Sequence, residues 1–169
     1  MMRKTSFFRL AVLAGTGIAL CVLPTLLRPV PALVWNASAS VPVGLYRLAS
    51  GTPQRGDFAL VRPPESAALL AAERGYLPAG VPLVKRVAAT AGDHVCARKM
   101  SVSINGEPVA RQRKSDRAGR ALSPWNECRM LGRGEVFLLA DAPDSFDSRY
   151  FGPLNSTALI GRLVPLWTK

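Results

Sequence analysis

From Leu10 to Leu27 the chain reads LAVLAGTGIALCVLPTLL without one charged residue, and it then changes character at Arg28-Pro-Val-Pro31. About eighteen apolar residues is the short end of what an α-helix needs to cross a bilayer core. Phe7 and Phe8 can extend the stretch, and Arg3, Lys4 and Arg9 precede it. Cations retained on the cytoplasmic side direct everything after Arg28 across the membrane. A cleaved secretory signal and a buried core helix are the competing readings, because Gly15, Gly17 and Pro24 weaken a spanning helix. Ala37-Ser38-Ala39 has the small residues of a cleavage site, but a cut there falls beside the residues assigned to chemistry below. Leu20 stands before Cys21, where a lipidated cysteine is usually preceded by a small residue. The stretch is read as a membrane anchor.

Beyond it the pattern becomes short apolar runs separated by Gly and Pro. Arg28–Pro31 is a stiff, polyproline-like spacer, and Val34-Trp35 suits a lipid–water boundary. The runs VGLYRL, DFALVRP, PLVKRVAAT, HVCARK, SVSINGEPVA, EVFLLAD and ALIGRLVPLW predict several strands and a mainly antiparallel β domain. Asn105-Gly106 is the strongest hairpin signal, since both residues tolerate the positive φ of a type I′ turn. Ser66–Arg74, SAALLAAER, is the one soluble helix predicted, starting near Glu65 or Ser66 and stopped by Gly75. No internal repeat is present. The expected organisation is a cytoplasmic tip, anchor and spacer over residues 1–34 and a single exported domain over residues 35–169, there being no room for a second core.

Composition narrows this only slightly. Hydrophobic residues make up 49% and charged residues 20%, with a mean hydropathy of +0.15, which is globular with one concentrated apolar stretch. The net charge of +11 draws the chain to anionic surfaces, either lipid or nucleic acid, without choosing between them. Part of that charge lies in Arg111–Arg120, a run without apolar periodicity that reads as a solvated loop.

Two segments depart from simple strands. In Asn36-Ala-Ser38-Ala-Ser40-Val-Pro42-Val-Gly44-Leu-Tyr46 two hydroxyls sit two residues apart, ahead of a Pro and a Gly that force an irregular backbone. A serine there can be presented on a turn. In Leu83-Val84-Lys85-Arg86-Val87, alternation gives Leu83, Lys85 and Val87 one face and Val84 and Arg86 the other. One of the two cations must share a face with apolar neighbours. Burial lowers the pKa of an amine and lets it accept a proton near neutral pH, which makes a lysine a general base. Taken alone, a serine on a turn is a capping hydroxyl and a strand lysine reaches solvent.

The order of the segments resembles the type I signal peptidases, most closely the TraF-type pilin-processing peptidases of bacterial conjugation. The resemblance covers nearly the whole chain: the anchor, the box N-A-S-A-S-V-P-V-G-L-Y, the box V-K-R-V-A-A-T-A-G-D-H-V and the late box S-F-D-S-R-Y-F-G-P. It implies a signal-peptidase-like β fold, with Ser40 as nucleophile, Lys85 as general base and Ser145 orienting the lysine. Ser38 and the Ser40 backbone N–H correspond to the oxyanion hole, Asp147 and Arg149 to a supporting ion pair, and Gly92-Asp93 to the turn after the lysine strand. Ser40-Val-Pro42 replaces the longer Ser-Met-x-Pro of most members, and Ala140-Asp-Ala-Pro-Asp144 replaces a Gly-Asp-Asn-Arg pattern. Both departures favour the conjugative branch. The implied activity is that of a serine endopeptidase in the bacterial inner membrane, its catalytic domain periplasmic, trimming and in some members cyclising an exported precursor such as a pilin. Other conjugation or secretion components are implied as further partners.

Cys96 and Cys128 are either a disulfide of an oxidising compartment or two reduced, partly buried thiols; their spacing does not decide. Cys21, inside the anchor, stays apart from such a bridge. The sole histidine, His94, lies two residues from Cys96 on a strand, too little for a cysteine peptidase or a zinc site, so no metal or cofactor is expected. The principal rival is a non-enzymatic basic component of a secretion or conjugation apparatus that binds membrane or DNA. Its basic run has no aromatic residues for stacking, which argues against nucleic acid. A self-cleaving soluble repressor shares the serine/lysine chemistry but does not begin with an anchor.

Overall fold

The computed structural model describes the backbone of residues 2–27 and 31–169, and side chains over 8–23 and 31–169. It divides into two compact units, Met1–Pro31 and Ala32–Lys169. Most of the spacer and the side chains of Arg3 and Lys4 lie outside the described residues.

In the first unit, α1 (Met2–Leu27) is a single helix. Among the described residues no helix is long and apolar enough to cross a membrane, so the spanning helix expected over Leu10–Leu27 is not seen there. The predicted span runs past them, since the side chains of residues 24–27 lie outside the described residues. Gly15, Thr16 and Gly17 dilute the apolar run, and the Thr16 hydroxyl bonds back to the Val12 carbonyl at 2.9 Å.

The second unit is mainly β and all its strand pairs are antiparallel. Its strands are β1 (Leu33–Asn36), β2 (Gly44–Ala49), β3 (Phe58–Val61), β4 (Leu83–Thr90), β5 (His94–Arg98), β6 (Ser101–Ile104), β7 (Glu107–Arg111), β8 (Cys128–Met130), β9 (Glu135–Leu139), β10 (Leu154–Asn155) and β11 (Leu159–Thr168). Seven strands form one sheet in the order β1-β2-β11-β3-β4-β9-β10, and four form another in the order β7-β6-β5-β8. Leu33 and Val34 pair with Arg47 and Tyr46 of β2, so the sheet begins just after Pro31.

The helices are α2 (Glu65–Glu73) and α3 (Ser148–Phe151). Gly75 ends α2 at φ 69°; its N–H and that of Tyr76 return to the carbonyls of Ala72 and Ala71 at 3.1 and 2.8 Å, the left-handed stop that glycine makes cheaply. Asn105 and Gly106, at φ 53° and 88°, join β6 to β7, where Ile104 faces Glu107. Gly152, at φ 74°, is required twice over, because a Cβ there would meet the Trp125 ring at 2.8 Å.

Central strands are buried on both faces, β3 at three consecutive positions and β9 at four, and alternate residues enter different clusters. Ala59, Val61, Val87, Leu138 and Leu154 form one core cluster, while Val41, Tyr46, Leu60, Val84 and Leu163 form a second. A third joins Ala89, Phe137 and Leu139 of the large sheet to Val95, Ala97, Val102 and Ile104 of the small one. Residues 111–120 are mostly exposed but are not a free loop: Ser115 bridges to Ala121, and Gln112, 7% exposed, is buried.

Cys96 and Cys128 stand opposite each other on β5 and β8 and form a disulfide across 32 residues. Closing a loop of that size in the unfolded chain contributes roughly 3–4 kcal/mol in the chain-entropy view. Cys128→Ser, or reduction of the wild type, is expected to lower the urea midpoint correspondingly, while a Cys21→Ser chain keeps its full response to reductant.

Candidate active site

Val84 and Arg86 take one face of β4, and Lys85 takes the other with Val87. Arg86 reaches solvent, where it pairs with Asp141 at 3.1 Å and lies over the Phe58 ring at 4.2 Å. Lys85 is 3% exposed. Its Nζ donates to Ser145 Oγ at 2.6 Å. Burial is the main cause that pulls the Lys85 pKa down to about 8, Asp147 opposing and Arg149 assisting. The amine is therefore available as a base far more readily than a surface lysine.

Ser145 precedes α3, whose start is built by the late box. Asp147 caps α3 by accepting from the Arg149 N–H at 3.1 Å and accepts from the Ala140 N–H of the β9 exit at 2.8 Å. Ser148 Oγ accepts from the Leu138 N–H at 3.0 Å. The Arg149 guanidinium pairs with Asp147 at 2.7 Å, both side chains almost wholly buried, and also donates to the carbonyls of Ala142 and Pro143 at 2.8 Å each. One buried cation thus shapes the 140–145 loop.

The same loop holds the serine turn. The Ser40 carbonyl accepts from the N–H groups of Asp141 and Ala142 at 2.9 and 3.4 Å, and the Ser145 N–H donates to the Ala142 carbonyl at 3.2 Å. Ser38 Oγ and Ser40 Oγ lie 2.8 Å apart. Asn36, 5% exposed, organises this turn from β1: its Nδ2 donates to the carbonyls of Ser38, Val41 and Pro42, and its Oδ1 accepts from the Ser38 hydroxyl at 3.1 Å. The buried Tyr46 hydroxyl donates to the Pro42 carbonyl at 2.6 Å.

The sequence-proposed residues therefore gather in two groups, Lys85 with Ser145 and Ser38 with Ser40, linked through Asp141–Ala142. No hydrogen bond joins the Lys85 amine to the Ser40 hydroxyl among the described residues. Asp147 and Arg149 lie behind both groups. Sequence reasoning gave no role to Asn36, Tyr46, Asp141 or Ser148. Asn36 and Tyr46 bracket the serine box, the one signal that pointed to them. Among the described residues there is no cluster of three or more metal-ligating side chains.

A buried lysine amine held on a serine hydroxyl, on a β sheet whose neighbouring loop carries two further serines, is equipment suited to acyl transfer. The chain belongs to the signal peptidase family, peptidase S26, which it matches over residues 5–167. Within that family it is 37% identical over 144 residues to a "Plasmid transfer protein TraF" of Escherichia coli, covering 79% of this chain and 81% of that one. It is 36% identical over the same length to a "Conjugal transfer protein TraF" of Agrobacterium fabrum, with the same coverage. A signal peptidase I from Enterococcus faecalis V583 is similar at 21% identity with a TM-score of 0.42, over 69% of this chain and 100% of that one.

Enclosing Lys85 has a thermodynamic consequence with a definite sign. Its folded pKa lies below its unfolded one, so the unfolded chain binds the extra proton and stability rises with pH between about 8 and about 10.4. Below that window the cost is present in full. Lys85→Met is expected to raise the thermal midpoint at pH 6–7, with the gain shrinking as pH approaches 10; a gain independent of pH would contradict burial of an ionisable amine.

Proposed function

We propose that the protein is a membrane-attached serine endopeptidase that cleaves an exported precursor, with Ser40 as nucleophile and Lys85 as general base. The observation that carries this reading is the buried Lys85 amine on Ser145 Oγ at 2.6 Å, beside a loop hydrogen-bonded to the backbone of Ser40. Membership of the signal peptidase family supports serine peptidase activity, and the relatives named for plasmid and conjugal transfer support a conjugative setting with a pilin precursor as substrate.

In this mechanism the neutral Lys85 amine takes the proton of Ser40 Oγ, which attacks the scissile carbonyl. Ser145 holds the amine in line. The tetrahedral oxyanion is met by the Ser40 N–H and the Ser38 hydroxyl. To meet it, the single Ser38 hydroxyl proton turns away from Asn36 Oδ1, which keeps its bond from the Ser38 N–H. The protonated Lys85 then passes its proton to the leaving amine. Water resolves the acyl-enzyme to a trimmed product, or an amine of the substrate resolves it to a cyclic one. The substrate strand has an edge to dock on: β4 pairs with β9 only from Arg86 onward, leaving Leu83–Lys85 with β3 as its strand partner and the other edge open to strand addition.

Attachment to the membrane, with the peptidase domain periplasmic, is supported by α1. Phe8, Leu10, Val12, Leu13, Ile18, Leu20, Val22 and Leu23 are 45–71% exposed and point to all sides of the helix, a distribution that water does not favour. Trp35 and Trp167 stack at 5.9 Å, each more than half exposed, as interfacial aromatics do. The alternative of a non-enzymatic polyanion binder is weakened by the basic run itself, since Arg117 and Arg120 are paired with Asp144 and Asp116.

Incubating the detergent-solubilised protein with a candidate prepilin and weighing the product by mass spectrometry tests the reading. Ser40→Ala and Lys85→Ala are each expected to abolish product while the chain stays folded, and Ser38→Ala to slow it about a hundredfold. Because only the neutral amine works, the rate should climb with pH and level off above about 8. Normal turnover by either dyad variant would overturn the assignment.

A further inference from the structure

Ser145 is gripped on both flanks by elements that lie outside the two sheets. On one side Asp144 pairs with Arg117, whose side chain is 84% exposed. On the other, Phe146 lies against Tyr76 at 5.6 Å, stacks on Tyr150 at 5.7 Å and meets Phe151 edge-on. Tyr76 follows α2, whereas Arg117 belongs to the segment 112–125.

These two elements are tied to each other at Asp116. Its carboxylate, 7% exposed, accepts from the Tyr76 hydroxyl, from Arg120 Nε at 2.7 Å and from the N–H groups of Ala118 and Arg120 at 2.9 Å each. Arg120 also donates to the Arg74 carbonyl at 3.1 Å. The ends of the segment are fixed on the late box: Gln112 Nε2 and the Trp125 N–H both donate to the Arg149 carbonyl, at 2.7 and 3.0 Å, and the Arg113 N–H donates to the Tyr150 hydroxyl at 3.1 Å.

We propose that the segment 112–125, locked to the end of α2, is a clamp that sets the position of Ser145 and through it the Lys85 amine, with Arg117 and Asp116 as positioning residues. The inference rests on the Lys85–Ser145 site described above. A hydroxyl that must aim an amine has to be held to within about half an ångström, and the Ser145 backbone contributes one local bond of its own, to Ala142. The clamp supplies the remainder by fixing the residues before and after it. It also gives the basic run a purpose other than binding a polyanion: two of its cations are spent on Asp144 and Asp116. Lys85 itself faces Asp147 and Arg149, whereas Arg117 and Arg113 act on Asp144, so the clamp works on geometry more than on the field at the amine.

The test uses the full chain in detergent, with Arg117→Ala, Arg117→Lys and Asp116→Asn, and two readouts. One is kcat and KM on a precursor peptide; the other is the titration of the Lys85 side chain by NMR in lysine-labelled protein, assigned with Lys85→Arg. Arg117→Ala should keep its thermal midpoint and its KM, lose about tenfold in kcat, and show Lys85 titrating nearer the ordinary lysine value as water enters. Arg117→Lys should restore most of both, and Asp116→Asn should lose kcat and move the Lys85 titration as Arg117→Ala does, at a lower thermal midpoint because its carboxylate is enclosed by donors. A wild-type kcat, or a lowered kcat with an unmoved Lys85 titration, overturns the clamp. If instead Ser40→Ala and Lys85→Ala prove fully active, the peptidase reading falls, and the Lys85 titration alone decides the clamp.

Discussion

An ammonium ion is among the most costly groups to enclose in a protein, and the second unit encloses one at Lys85. Its position is fixed by strand geometry. β4 is flanked by β3 and β9, Ala59 stands opposite Lys85 on β3, and the face that Lys85 shares is filled by Val61, Val87 and Leu138. With no room to reach water, the amine has the Ser145 hydroxyl as its hydrogen-bond partner. The rest of the molecule is arranged so that this partner is present.

That arrangement is a second buried electrostatic unit. Asp147 and Arg149 neutralise each other away from solvent, and a pair of this kind is stabilising only when its remaining hydrogen-bond capacity is used. Here it is used on backbone. Arg149 collects carbonyls of the 140–143 segment, and Asp147 collects the N–H groups of Ala140 and Arg149. The loop so formed presents two N–H groups to the Ser40 carbonyl. A single ion pair therefore connects the start of α3, the exit of β9 and the serine turn, and Asn36 closes that turn from the far side.

The two sheets divide the work. The large sheet carries Lys85, the serine turn and the open edge of β4, while the small sheet, joined to it through a shared apolar cluster and stapled by the Cys96–Cys128 bond, carries none of the groups assigned to chemistry. Segment 112–125 leaves the small sheet after β7 and returns to it at β8, crossing the late box between them. The small sheet is thereby coupled to Ser145 without contributing a reacting atom.

Much of this was written in local pattern. Alternation in VKRV implied one buried cation, Asn105-Gly106 encoded its own turn through positive φ, Gly75 stopped α2, and three short boxes marked the family. Local pattern could not decide which cation was buried, because either face of β4 is acceptable until β3 and β9 cover one of them. Nor could it separate a disulfide from two thiols, since only the register of β5 on β8 brings Cys96 and Cys128 face to face. The basic run looked like free loop for the same reason: Asp144, which pairs with Arg117, and Tyr76, whose hydroxyl donates to Asp116 inside the run, become its neighbours only after the chain has closed. Residue order determined most elements and named the candidate groups, and long-range packing chose their partners, because burial and hydrogen-bond pairing depend on what lies across a sheet rather than along a strand.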